Sequence, residues 1–262
     1  MDLGSYRSDV RAGRWTGPTR GVVPDHVQCN LVVLPQQWAD GFAQWCEANP
    51  SVAPVLARSE LGSPRLPVLG EDIDLRTDLP SYRVFEHGEA VGTTPDLVDL
   101  WRDDLVAFAF GCSFSLEEAM RRAGVSLDYE ARGFGGAIYQ STLETEAVGE
   151  YGGPVVVSMR PLPAEAVEHA IEVSRRHPWL HGAPLHAGDP SEIGIDLDRP
   201  LESFGEVRLA DGEVPVFWAC GVTTQRVVER ARPDLAITHE SAHMLVTDVP
   251  LTTTFELQGE PA

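Results

Sequence analysis

Lysine is absent from this chain: all 20 of its basic residues are arginine. Without lysine there is no Schiff-base nucleophile, no anchor for pyridoxal phosphate and no G-x-x-x-x-G-K-[ST] phosphate loop, and the strand lysine of kinases is missing too. No run of eighteen apolar residues occurs, and the start, MDLGSYRSDVRAGRW, has neither the basic flank nor the apolar core of a signal peptide, so a cytoplasmic location is expected. Cys29, Cys46, Cys112 and Cys220 stand far apart with no C-x-x-C pair, which points away from a disulfide framework or a local zinc knuckle. Positive charge is scarce overall. Forty acidic residues give a net charge of −20 and a pI near 4.6, a field that repels nucleic acid and anionic membranes. An anionic substrate therefore needs a local cluster of arginine or backbone N–H donors.

The 262 residues, 43% of them hydrophobic, suffice for a full core in one domain or two closely packed halves. Residues 1–24, rich in Gly, Pro and Arg, read as an extended arm. Val27 to Leu34 is an apolar, β-branched strand, and the spacing of Trp38, Phe42, Trp45 and Cys46 predicts a helix over 36–48. Repeated prolines make 50–80 loop-rich. Tyr82–Phe85 and Ala90–Thr94 read as a hairpin about the turn 86–89. Val106–Phe110 is a buried strand that turns at Gly111-Cys112-Ser113 into a helix, with Ser115 and Glu118 as its capping box and Gly124 as its stop.

That unit recurs 108 residues on. Residues 106–123 (VAFAFGCSFSLEEAMRRA) align with 214–231 (VPVFWACGVTTQRVVERA), Cys112 on Cys220, strand on strand and helix on helix. The expected fold is mixed α/β: two internally duplicated halves, about 25–150 and 151–255, packed into one unit with the cleft where their strand-to-helix turns meet. Between the copies, a strand over 155–160 and a helix over 164–176 are expected. The glycines of the GFGG and EYGG stretches lack dinucleotide-binding spacing, so no nucleotide cofactor is expected.

Four groups of residues suit chemistry. The two turns, with Cys112, Ser113, Cys220 and Thr223, present helix N-terminal N–H groups that hold a carboxylate or lower a thiol pKa; the plainer reading of each cysteine is a small buried filler. His181, His186 and Asp189 share an irregular loop suited to proton transfer, or are incidental to a solvated one. His239-Glu240-Ser241-Ala242-His243 satisfies the zinc-protease pattern H-E-x-x-H, but strand-like flanks replace the helix that this chemistry requires, so no metal is expected. Arg83 and Arg160, beside strand ends, are candidate carboxylate clamps, or solvated surface arginines.

Several of these stretches together resemble the bacterial hydro-lyase family that includes D-glutamate cyclase. They are Gly17-Pro18-Thr19 with Val27-Gln28 and Asn30-Leu31, TDLPSYRVF from Thr77, DLWRDDLVAF from Asp99 with GCSFS from Gly111, VVVSMRP from Val155, HGAPLHAGDP from His181 with Ile193-Gly194-Ile195, VPVFWACGVT from Val214, and Ile237-Thr238-His239 with HMLVTD from His243. The resemblance implies elimination of water, or closure of a glutamate to its five-membered lactam, with no organic cofactor. It adds Gln28, Asn30 and Tyr139 to the substrate-binding candidates. Two departures stand out: the family's Met-Tyr-Arg-Thr reads Ile138-Tyr139-Gln140-Ser141 here, and its His-Ala-Pro-Gly-His reads His239-Glu240-Ser241-Ala242-His243.

The expected function is thus a lyase, dehydratase or lactam-forming cyclase acting on a small carboxylate-bearing molecule by general acid/base chemistry. His181, His186, Asp189, His239, His243 and Cys112 are its catalytic candidates, and Ser113, Cys220, Thr223, Arg83 and Arg160 join the binding set. The alternatives are a small-acid binding protein without catalysis and a zinc hydrolase using His239, Glu240 and His243. The expected partner is the small carboxylate, and assembly into a homo-oligomer is compatible with the sequence.

Overall fold

The computed structural model describes residues 1–255. In chain order its main elements are α1 (Leu3–Arg11), β1 (His26–Pro35), α2 (Gln36–Ala48), β2 (Val55–Arg58), β3 (Tyr82–Glu86), β4 (Glu89–Thr94), β5 (Leu105–Gly111), α3 (Ser113–Arg122), β6 (Ala137–Glu144), β7 (Pro154–Pro163), α4 (Ala164–Arg175), β8 (His186–Ala187), β9 (Glu202–Ser203), β10 (Glu213–Ala219), α5 (Val222–Ala231), β11 (Ala236–His239) and β12 (Leu245–Pro250). Two long strands organise them. β1 and β7 are almost wholly buried, read as near-continuous apolar runs, and end in Pro35 and Pro163, which lead directly into α2 and α4. Proline suits that junction, because its fixed φ and missing N–H cost nothing just before the first helical turn.

Around β1 a seven-stranded sheet assembles in the order β2-β5-β1-β11-β3-β4, with β12 also pairing β1; around β7 a five-stranded sheet runs β8-β10-β7-β6-β9. Every ladder is antiparallel. The architecture is therefore mixed, with helices packed on antiparallel sheets. Residues from both sheets, among them Leu31, Phe108, Phe110, Val157 and Trp218, form one continuous buried cluster, in which Phe42 of α2 meets Phe108 and Phe110 edge-on.

Each central strand pairs with a strand that ends in a strand-to-helix turn. β1 pairs β5 with Cys29 opposite Gly111 and Pro35 opposite Leu105, and β7 pairs β10 with Val157 opposite Ala219 and Pro163 opposite Glu213. Cys112 and Cys220 thus follow directly on corresponding register positions. The likeness is local, since the sheets differ in strand number, order and flanking loops.

Three elements differ from the sequence reading. The expected arm contains α1, N-capped by Asp2 and anchored on β12 by Tyr6, Val10 and the ion pair of Arg7 with Asp248 at 2.5 Å. Its apolar spacing at Leu3, Tyr6 and Val10 was diluted by glycine and arginine. The second difference is at α3, which starts three residues earlier than the capping box implies: Cys112 is its N-cap, while Glu118 pairs with Arg121 and Arg122 and Ser115 accepts the N–H of Gln28. The third is β6, which occupies a stretch between the GFGG and EYGG glycines for which no element was expected.

Candidate active site

The two turns meet at Asn30. From β1 its Nδ2 donates to the Gly111 carbonyl at 2.6 Å, while its side chain lies against Gly221, where an added Cβ would stand 2.3 Å from it. Gly111 is equally confined, since a Cβ there would lie 1.7 Å from the Trp179 carbonyl oxygen. Glycine lets backbone approach backbone at the first turn and lets the Asn30 amide approach backbone at the second. Between them lies a small cavity of about 30 Å³, reached by Asn30, Ser113, Ser158, Arg160, Cys220 and His239 among others. An open cleft of about 390 Å³ shares Phe114, Gly135 and Phe204 with it. A narrow, largely apolar inner end with one guanidinium in its wall and a wider mouth fit a small ligand with one charged end.

Arg160 supplies the charge. It is 3% exposed, donates from Nε to Glu117 Oε1 at 2.6 Å and from Nη1 to Ser158 Oγ at 2.8 Å, and lies over the Trp218 ring at 5.7 Å. Glu117, itself buried, is shared with Arg20, whose Nη2 lies 2.7 Å from Oε2. A buried ion pair is costly unless its remaining hydrogen-bonding capacity is used. Glu117 uses both oxygens, whereas Nη2 of Arg160 has no protein acceptor among the described residues. The guanidinium is thus oriented by Glu117 and Ser158 with donor capacity left over beside the cavity.

The cysteines are not prepared as nucleophiles. Burial pushes the Cys112 thiol up to about 12, against a smaller opposing effect of the Phe114 N–H that its sulfur accepts at 3.4 Å. Burial likewise raises Cys220 to about 11. Both remain thiols near neutrality. Thr223 is a structural residue, its Oγ1 accepting the Val156 N–H at 3.0 Å and donating to the Val156 carbonyl at 3.1 Å.

His239 closes the cavity from the end of β11. It is 1% exposed, burial lowers its pKa to about 4, and Nε2 has no hydrogen-bond partner among the described residues. The other expected residues are placed elsewhere. His181 is fully buried in a left-handed conformation behind the first turn, hydrogen-bonded through Nδ1 to the Ser51 carbonyl at 3.0 Å, with burial lowering its pKa to about 4. His186 is tied to the Asp189 carbonyl at 2.8 Å, and Asp189 caps the short turn Pro190–Ile193. Neither borders the cavity. His243 is also outside it, its ring nitrogens facing the carbonyls of Ser241 at 2.6 Å and Thr16 at 3.2 Å. The expected gathering of all these histidines in one cleft is therefore corrected: the loop of His186 and Asp189 folds onto β10, and His243 pins the N-terminal arm.

Arg83 is occupied by Glu240 at 2.6 and 2.8 Å. That pair also dismantles the zinc-protease arrangement, because His239 ends a strand, Ala242 has φ +62°, and no helix brings the two histidines to one face. Gln28 holds Thr19 of the arm, and Tyr139 donates to the Leu197 carbonyl at 3.0 Å, so both stabilise the walls. Gln140, where the family has arginine, is exposed. Sequence reasoning missed Glu117, Ser158 and Phe204. The signal for Glu117 was its place beside Leu116 and Met120 on the buried face of α3, where a solvated charge is out of place.

The sequence profile of the D-glutamate cyclase family matches residues 106–248, which hold both turns, Arg160 and His239. Curated relatives extend the match to nearly the whole chain. A Bordetella petrii protein named "Putative hydro-lyase Bpet2233" is 51% identical over 93% of this chain and 92% of its own. Proteins of the same type from Verminephrobacter eiseniae and Rhizobium johnstonii are 48% and 49% identical over 95% and 94% of this chain, and 90% and 91% of theirs. Among solved structures, a nitrogen repressor-like protein from Methanococcus jannaschii aligns over 88% of this chain and 89% of its own at 11% identity and a TM-score of 0.40, too distant to bear on function. These matches define a lyase-type enzyme of the hydro-lyase class. The chain belongs to the D-glutamate cyclase family.

Proposed function

We propose that the chain removes water from a small amino or hydroxy acid, with closure of glutamate to its lactam as the first reaction to test. The observation that carries this reading is Arg160, a buried guanidinium fixed by Glu117 and Ser158 at the wall of a cavity sized for a carboxylate. In lactam closure the amino nitrogen attacks the side-chain carboxyl carbon, a C–N bond forms and a C–O bond breaks. The ammonium gives up two protons to the departing oxygen, which leaves as water. Arg160 and the N–H groups of the turns supply donors for the carboxylate that stays and for negative charge on the carboxyl that reacts. The inner cavity takes one end of the substrate, and the open cleft accommodates the remainder.

The test is an NMR assay of D- and L-glutamate and of small hydroxy acids with purified protein. Loss of water from one of them is expected, with Arg160→Lys reduced by about 100-fold or more because an ammonium cannot reproduce the fork held by Glu117. Full activity in that variant removes Arg160 from the site. A protein that binds a carboxylate with no turnover at any pH is the small-acid binder instead.

A further inference from the structure

We propose that His239 serves this reaction as a neutral hydrogen-bond donor, presenting its Nε2–H to a substrate oxygen beside Arg160, and not as the base that removes a proton. The inference deepens the function proposed above and rests on it only for the identity of the oxygen. It starts from a gap in the first sheet. β11 pairs β1 at Val32 and Val33, and β12 pairs it at Gln28 and Cys29, so among the described residues the side of β1 facing them has no strand at Leu31. A buried backbone N–H there needs another acceptor. The His239 ring provides it, for the Leu31 N–H points at Nδ1 from 3.1 Å.

This contact decides where the proton sits. Nδ1 also lies 3.4 Å from the Leu31 carbonyl, but it cannot donate to that oxygen and accept the N–H at once. The N–H contact is shorter, and a proton on Nδ1 would set two hydrogens against each other while leaving the Leu31 N–H without an acceptor. A neutral imidazole has one N–H, so the proton is on Nε2. That nitrogen is buried on a side chain that borders the cavity, and it has no hydrogen-bond partner among the described residues. A fully buried donor without a partner is costly to maintain, and a bound oxygen satisfies it. A nitrogen that already carries a proton cannot accept another while the ring stays neutral. Burial, which lowers the pKa of His239 to about 4, keeps it neutral across the physiological range.

Two measurements test the assignment. Nitrogen-15 NMR of the ligand-free protein, with His239 assigned by difference from His239→Asn, reads the tautomer without any substrate. The expected spectrum shows a neutral ring protonated at Nε2 from about pH 5.5 to pH 8. A proton on Nδ1, or an imidazolium in that range, overturns the proposal. The second measurement uses D-glutamate turnover. His239→Asn keeps an amide oxygen near Nδ1 to accept the Leu31 N–H but has no donor at Nε2, so it should melt close to the parent while losing about 100-fold or more in kcat. His239→Gln extends an amide N–H toward the Nε2 position and should recover at least a tenfold part of that loss. A His239→Asn protein with unaltered kcat, or a His239→Gln protein no better than His239→Asn, sinks the donor role. Absence of D-glutamate turnover in the parent would count against the substrate reading alone, and the tautomer spectrum would then decide His239.

Discussion

At the scale of single residues, burial decides what each polar group around the two turns can do. Cys112 is the clearest case, because its position at a helix N-terminus invites a reactive thiolate while its surroundings prevent one. With the thiol pushed up to about 12 by burial, roughly one molecule in ten thousand carries the thiolate at pH 8. The protein should therefore resist inactivation by iodoacetamide under native conditions. Cys112→Ser, which retains an acceptor for the Phe114 N–H, should keep activity within about threefold, whereas a loss of about 1000-fold would restore Cys112 as a nucleophile. Arg160 shows the opposite outcome, a charge made useful by burial because Glu117 balances it. The sequence marked Arg160 as a candidate but not its partner, since contact between residues 43 apart depends on how α3 packs against the second sheet.

At the scale of elements, the strand-to-helix turns depend on close approach to glycine, by backbone at Gly111 and by the Asn30 side chain at Gly221. Gly111 ends β5 against the segment Pro178–Leu180, which leads into His181. Gly111→Ala places a methyl carbon 1.7 Å from the Trp179 carbonyl, and neither backbone can yield without moving its sheet or turn. The substitution should cost about 3 kcal/mol or more in a denaturant titration and displace Ser113 from the cavity wall. An unaltered unfolding midpoint would show that the turn has room to adjust. The β5-α3 and β10-α5 turns were legible in advance, because an apolar β-branched or aromatic run, a small-residue turn and a 3.6-residue periodicity are local signals. Helix α1 and strand β6 were not, because their sequences are weak on local grounds and are stabilised by the surfaces they cover.

At the scale of the whole molecule, two fully buried histidines make stability depend on pH. Burial lowers His181 and His239 from 6.5 to about 4 in the folded state. The unfolded chain therefore binds more protons than the native one between those values, so stability is present above about pH 6.5 and falls as the pH drops toward 4. Each histidine contributes at most about 3 kcal/mol to that loss. Unfolding titrations should show uptake of close to two protons near pH 5, reduced by one in His239→Asn. A flat stability profile across that window would contradict the burial of both rings. The net charge of −20 adds self-repulsion at neutral pH, which lessens as carboxylates protonate, so the histidine effect is best read as the difference between parent and variant.

Composition, periodicity and motif resemblance were enough to determine the family, the central strands and the two turns, because each rests on residues near one another in the chain. They were also enough to exclude lysine-dependent chemistry. Which candidates share a cavity was decided only by the tertiary structure. His186, Asp189 and His239 look alike in sequence, each a polar group on irregular backbone or at a strand end. Yet His186 lies in the edge strand β8 with Asp189 just after it, while His239 fills the gap opposite Leu31 where β11 departs and β12 arrives. The physical reason is that a side chain's chemistry depends on its desolvation and hydrogen-bond partners, and for His239 both come from a strand 208 residues away.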